Sequence, residues 1–141
     1  MTTTLRPPVE DVAYSFGLPG GALCVPVVQH AVSALLGRHG LACMAGFAGW
    51  ATGELLGAAC QQGPDQRVSF YVRWRFGALR LTAFDQHAAG EASRRGRLVR
   101  LDAGVRVFGG TLAVAPAGPP LGGTRTWVSL PREGVRSGAC V

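Results

Sequence analysis

The stretch TGELLGAACQQG, residues 52 to 63, carries one carboxylate, Glu54, near the end of the run LACMAGFAGWATGELLGAAC (41 to 60), where it is the only charged side chain. A lone carboxylate in an apolar run either pairs with a nearby Arg or has its proton affinity tuned by burial, as carboxylates at functional sites do. On a helix, Ala58, Gln61 and Gln62 lie four, seven and eight residues beyond it and share its face. Asp85 closes another stretch, AFDQH, and a carboxylate at a strand end forms a turn, caps a helix or takes a hydrogen bond from a ligand. The remaining reactive types are scattered. His30, His39 and His87 form no cluster, and Cys24, Cys43, Cys60 and Cys140 contain no C-x-x-C pair and have no His at ligand spacing. Zinc, redox-motif and triad chemistry are therefore not indicated, and reduced thiols in a cytoplasm are expected.

The elements that must position these residues are legible from periodicity. Val12 to Phe16 forms a first strand, ended by Gly and Pro punctuation. Val25, Val28, Val32, Leu35 and Leu36 recur at helical spacing, with Pro26 in the first turn and Gly37 or Gly40 as the stop. A second helix runs from about Ala42 to Gln62. Along it Ala45, Gly49, Gly53 and Gly57 repeat every four residues, a groove of small side chains expected to pack tightly on the sheet. In RVSFYVRWRFGALRLTAFD, Val68, Phe70, Val72, Trp74 and Phe76 alternate with Ser69, Tyr71, Arg73 and Arg75, giving a half-buried hairpin that turns at Gly77 and Ala78. Residues 86 to 96 have no apolar period and read as a mobile loop. Leu98, Leu101, Val105 and Phe108 mark a helix closed by Gly109 and Gly110, and TLAVAPA and TRTWVSLP two final strands. The order predicts an α/β two-layer sandwich, a mixed sheet of about five strands with three main helices on one face. Its uncovered face would display Tyr71, Arg73, Arg75 and Arg80, with Arg125 and Trp127.

Composition sets the outer bounds. At 141 residues, 48% apolar and 16% charged, the chain makes one folded domain, 12 to 131, between a flexible lead-in (1 to 11) and tail (132 to 141). It contains no Lys, Asn or Ile, and all 14 basic residues are Arg, as expected of a GC-rich bacterial genome. The net charge of +6 is therefore partly codon bias and marks a general attraction to anions rather than a nucleic-acid role. A membrane span over 41 to 60 is disfavoured, because Ala and Gly gain little from lipid and a mid-span carboxylate costs about 2.5 to 3.5 kcal/mol.

Three local matches, spread over Val12 to Pro131, resemble the GHKL (Bergerat-fold) ATP-binding superfamily, in particular bacterial anti-sigma-factor serine kinase-like proteins. ELLGAACQQ aligns Glu54, Leu55 and Ala59 with the family helix that carries the base and, at the position of Ala58, a magnesium-holding Asn. AFDQH aligns Asp85 with the adenine-binding Asp, with His87 where the family has Gly. GGTRTWVSLP aligns Thr124 with the Gly-Thr near adenine. The resemblance also implies a phosphate-covering segment, here HAAGEASRRGRLVRL with Gly90, Gly96, Arg94, Arg95 and Arg97.

What the resemblance implies is a nucleotide site with Asp85, Thr124 and Gly96 as ligands and Glu54 as a vestigial catalytic carboxylate. Magnesium requires hard oxygen donors, and Ala58 offers none. The expectation is a regulatory protein-binding module without cofactor or metal, its ATP binding and kinase activity lost or greatly weakened. Its partner would be a sigma factor, an anti-anti-sigma protein or a helix-turn-helix regulator, contacted through Tyr71, Arg73, Arg75 and Arg80, and a homodimer is compatible with the resemblance. The alternatives are a working serine/threonine kinase using ATP and magnesium, and a nucleic-acid binder using the basic, aromatic sheet face.

Overall fold

The computed structural model describes residues 8–61, 65–87, 90–118 and 122–134. After a single 3-10 turn, Val9–Asp11, the chain runs through β1 (Ala13–Pro19), α1 (Val25–Arg38), α2 (Ala42–Ala59), β2 (Arg67–Arg75), β3 (Ala78–Asp85), α3 (Glu91–Arg97), α4 (Val99–Val107), β4 (Thr111–Pro116) and β5 (Thr124–Pro131). The sheet order is β1-β2-β3-β5-β4. The two-layer α/β sandwich expected from the sequence is the architecture observed.

The sheet is antiparallel throughout rather than mixed. Strands β3 and β4 do run in the same direction, but the β4–β5 hairpin folds back and inserts β5 between them, so the parallel relation never becomes a ladder. Strand β1 extends past Phe16 to Pro19 because it is an edge strand, where a missing amide donor is tolerated.

Two helix ends follow local glycine chemistry closely. At the end of α1, Gly40 has φ 76°, the Gly40 amide donates to Gly37 O and the Leu41 amide to Leu36 O at 2.8 Å. Both Leu36 and Leu41 are fully buried, completing a Schellman stop with its apolar contact. The same pattern closes α4, where Gly109 (φ 76°) precedes a 2.7 Å bond from the Gly110 amide to Val105 O.

The hairpin turn lies one residue earlier than expected. Phe76 (φ 54°) and Gly77 (φ 75°) are its two central residues and Arg75 pairs with Ala78, since a two-residue turn matched to strand twist needs both centres left-handed. Phe76 therefore leaves the strand's apolar face and is fully exposed.

The small-residue line of α2 faces α1 rather than the sheet. Gln29 of α1 lies across it, its Nε2 donating to Gly49 O at 3.0 Å, and a Cβ on Gly53 would collide with the same amide. Against the sheet α2 instead turns Met44, Ala48, Ala51, Leu55 and Leu56, all fully buried. They share one buried core with Phe70, Val72, Leu79, Leu81, Val128 and Leu130, inward residues of three adjacent strands, β3 lying directly beneath the helix. No helix among the described residues is long and apolar enough to cross a membrane.

Part of the expected lead-in is fixed. His39, 4% exposed, donates from Nδ1 to Pro8 O at 2.9 Å, which leaves Nε2 to accept the Tyr14 hydroxyl at 2.7 Å. This histidine anchors residues 8 to 11 to the end of α1.

Candidate functional site

The site assembles where β3 ends and α3 begins. Asp85, the last residue of β3, is 2% exposed, and Arg94 of α3 is 3% exposed. Arg94 Nη1 donates to Asp85 Oδ2 at 2.7 Å, while Asp85 Oδ1 accepts the His87 amide at 3.0 Å. Both carboxylate oxygens are thus engaged within the protein. On the adjacent strand Thr124 pairs with Asp85 in register, and its hydroxyl donates to His87 O at 2.7 Å. Asp85 and Thr124, aligned by the resemblance, do come together, and they come together around His87.

The 86 to 96 segment is not a loop throughout: residues 91 to 97 form α3. Its register is set by polar contacts that apolar periodicity cannot detect. Arg94 is drawn inward by Asp85, and Glu91 pairs with Arg95 across one turn at 3.0 Å. The i, i+4 spacing of Glu91 and Arg95 was the available sequence signal for this helix. Gly96 lies exposed in its last turn, so its amide belongs to a helix rather than to a phosphate-cradling loop.

The cavity beside Arg94 measures about 60 Å³ and is bordered by Ala58, Ala59, Gln61, His87, Ser93 and Arg97 as well. Ligand pockets for drug-sized molecules occupy roughly 300 to 1,000 Å³, so this is a space for a few waters. Next to it an open depression of about 240 Å³ is lined by Glu54, Ala58, Gln61 and Arg97 among others. The predicted shared face of Glu54, Ala58 and Gln61 is therefore real; Gln62 lies outside the described residues. Glu54 itself is half-buried and has no hydrogen-bond or ion-pair partner among the described residues. Neither do those residues contain a cluster of three or more His, Cys, Asp or Glu able to hold a metal.

Behind Asp85 stands Cys60, 4% exposed at the end of α2. Burial pushes its thiol up to about 11 from the ordinary 9.0, and repulsion from the Cys24 thiolate and the Asp85 carboxylate adds to the effect. The native state thus holds this proton more tightly than the unfolded chain. The resulting stabilisation is complete below about pH 9 and is lost as pH rises towards about 11. Iodoacetamide at pH 8 should label Cys60 at least about a hundredfold more slowly than an ordinary thiol, two units of proton affinity leaving a hundredfold less thiolate. Peptide mapping that finds Cys60 labelled as fast as a free cysteine would contradict this environment. Cys24, Cys43 and Cys60 are all free thiols, and Cys140 lies outside the described residues.

A second surface lies on the far side of the sheet, which carries no helix among the described residues. Tyr71, Arg73 and Arg75 of β2, Arg80 and Phe84 of β3, and Arg125 and Trp127 of β5 project there, as alternation required. Arg73 stands directly opposite Arg80 across the hairpin. Tyr71, Arg73, Arg80, Phe84, Arg125 and Trp127 border a shallow concavity of about 310 Å³. Arg75 falls outside its rim, near the exposed turn. The Arg125 guanidinium caps the Trp127 ring at 4.6 Å. No protein-family model matches the chain, and no curated protein matches it.

Proposed function

We propose that this chain is a cytoplasmic regulatory module that binds another protein, resembling an anti-sigma factor whose ATP binding and phosphate transfer are lost or greatly weakened. The observation that carries the reading is the Asp85–Arg94 contact. A purine seeking the Asp85 carboxylate would have to displace a guanidinium that is 3% exposed, separating a buried charge from its partner. The cavity that reaches Arg94 itself measures only about 60 Å³, and Ala58 supplies no oxygen for magnesium. The partner, on the strength of the resemblance, is a sigma factor, an anti-anti-sigma protein or a helix-turn-helix regulator.

One observation favours the kinase alternative: Glu54 sits half-exposed and without a partner among the described residues on an open depression that also holds Gln61 and Arg97. A base is available there if a substrate reaches it. Calorimetry with magnesium-ATP and radiolabelled phosphate transfer separate the two. The expected result is no heat at sub-millimolar nucleotide and no rise in melting temperature, whereas a ligand at 100 times its dissociation constant adds about 2.7 kcal/mol. Glu54→Gln should change stability by less than about 0.5 kcal/mol, as for a surface position. Phosphate transfer by the unaltered protein that disappears in Glu54→Gln would establish the kinase instead.

A further inference from the structure

We propose that the uncovered sheet face binds an acidic, partly apolar segment of a partner protein, with Arg73 and Arg80 together gripping a carboxylate and Tyr71 supplying apolar contact beside it. This rests on the reading that the protein acts by binding another protein, and it names the chemistry of that partner.

Charge complementarity is the main argument. Arg73 and Arg80 are cross-strand partners on the same face, and like charges directly opposite each other weaken a sheet. Neither is joined to a carboxylate in the ion pairs Asp85–Arg94, Glu91–Arg95 and Asp102–Arg106, which lie on the helix side of the molecule or at the end of β3. No Asp or Glu occupies an outward position of any of the five strands, while Arg67, Arg75 and Arg125 add to the same face. A carboxylate seated between two guanidinium forks turns this repulsion into paired, charge-assisted hydrogen bonds.

The aromatic residues decide between a peptide and a single-stranded nucleic acid. A base-stacking platform presents two or three free ring faces. Here Trp127 is capped by Arg125 and Phe84 is half-buried, so Tyr71, at 39% exposure, is the one open ring of the three. The concavity of about 310 Å³ is shallow and continuous with solvent, suited to a few side chains of a segment lying along the strands.

The test uses fluorescence anisotropy at low salt with a labelled dodecapeptide of alternating Glu-Leu and Glu-Ser pairs. A peptide with Gln for every Glu and an oligothymidylate of matching length serve as competitors. The full chain should prefer the Glu peptide over the Gln peptide by roughly tenfold or more, and Arg73→Ala with Arg80→Ala should remove that preference with the circular dichroism spectrum unchanged. Arg100→Ala with Arg106→Ala, on the exposed side of α4, should leave it intact. Equal loss in both double variants, no Glu preference, or tighter binding of the oligothymidylate would each overturn the proposal. Nucleotide calorimetry on the same preparations reads the function separately: heat with magnesium-ATP alongside retained peptide binding overturns the non-catalytic reading and leaves the sheet face standing. A silent nucleotide with no peptide preference does the reverse.

Discussion

Arg94→Ala is expected to lower the unfolding free energy by about 3 to 5 kcal/mol, the usual cost of removing one member of a buried ion pair. Arg94 and Asp85 are 3% and 2% exposed and joined at 2.7 Å, so the truncation leaves a buried carboxylate whose remaining hydrogen bond among the described residues comes from the His87 amide. The melting temperature should fall by roughly 10 to 20 °C for a domain of this size. A double variant, Arg94→Met with Asp85→Leu, should recover most of the loss, because replacing both charges by apolar groups removes the stranded ion. Urea denaturation reads both. A loss below about 1 kcal/mol in Arg94→Ala would mean that the pair is solvated in solution, and the closed state of the site would then lose its physical basis. The same variant bears on function: if the guanidinium is what blocks Asp85, a stabilised form of Arg94→Ala is where any residual nucleotide affinity should first emerge.

Gly123→Ala should be comparably damaging, by about 3 kcal/mol or more. Gly123 has φ 86°, and a backbone held in a region that L side chains avoid costs about 1 to 3 kcal/mol by itself. The added Cβ would also run into the Asp85 carbonyl and Gln86 Cα, which are main-chain atoms and cannot swing aside. Relief requires β5 to shift against the end of β3, where Thr124 pairs with Asp85 and bonds His87 O. Gly122 is the control, because it too has positive φ (66°) but a Cβ added there would meet nothing within 4 Å. Ala at that position should cost only the backbone strain. Equal losses at the two positions would show that the contact with Asp85 is not what makes Gly123 necessary.

How much of the molecule could be read in advance varies by the kind of interaction. The Val68 to Trp74 alternation placed β2 and its two faces correctly, because a period of two depends on which side of a strand each residue occupies and on nothing further away. Pro26 marked the start of α1 for the same local reason, and of the two glycines expected as its stop, Gly37 lies inside the helix while Gly40 adopts the left-handed conformation that ends it. The α2 glycines were visible as a stripe, but their facing towards α1 depended on Gln29, 20 residues before Gly49. Phe76 misled because its apolar character continued the strand pattern, whereas the turn's demand for two left-handed residues prevailed.

The sequence by itself determined α1, α2, α4, the five strands, the two faces of β2 and the arginine-rich side of the sheet, since each follows from hydrophobic periodicity and chain conformation within a few neighbours. Only the tertiary structure decided that Asp85 is consumed by Arg94, that Thr124 holds His87 rather than standing open, that Gly96 is helical, and that Glu54 remains half-exposed. An ion pair between a strand end and a helix face leaves no period in the chain. It forms because burial withdraws both groups from water and makes each the other's best remaining partner, a condition set by the packing of α2, α3 and β5 around them.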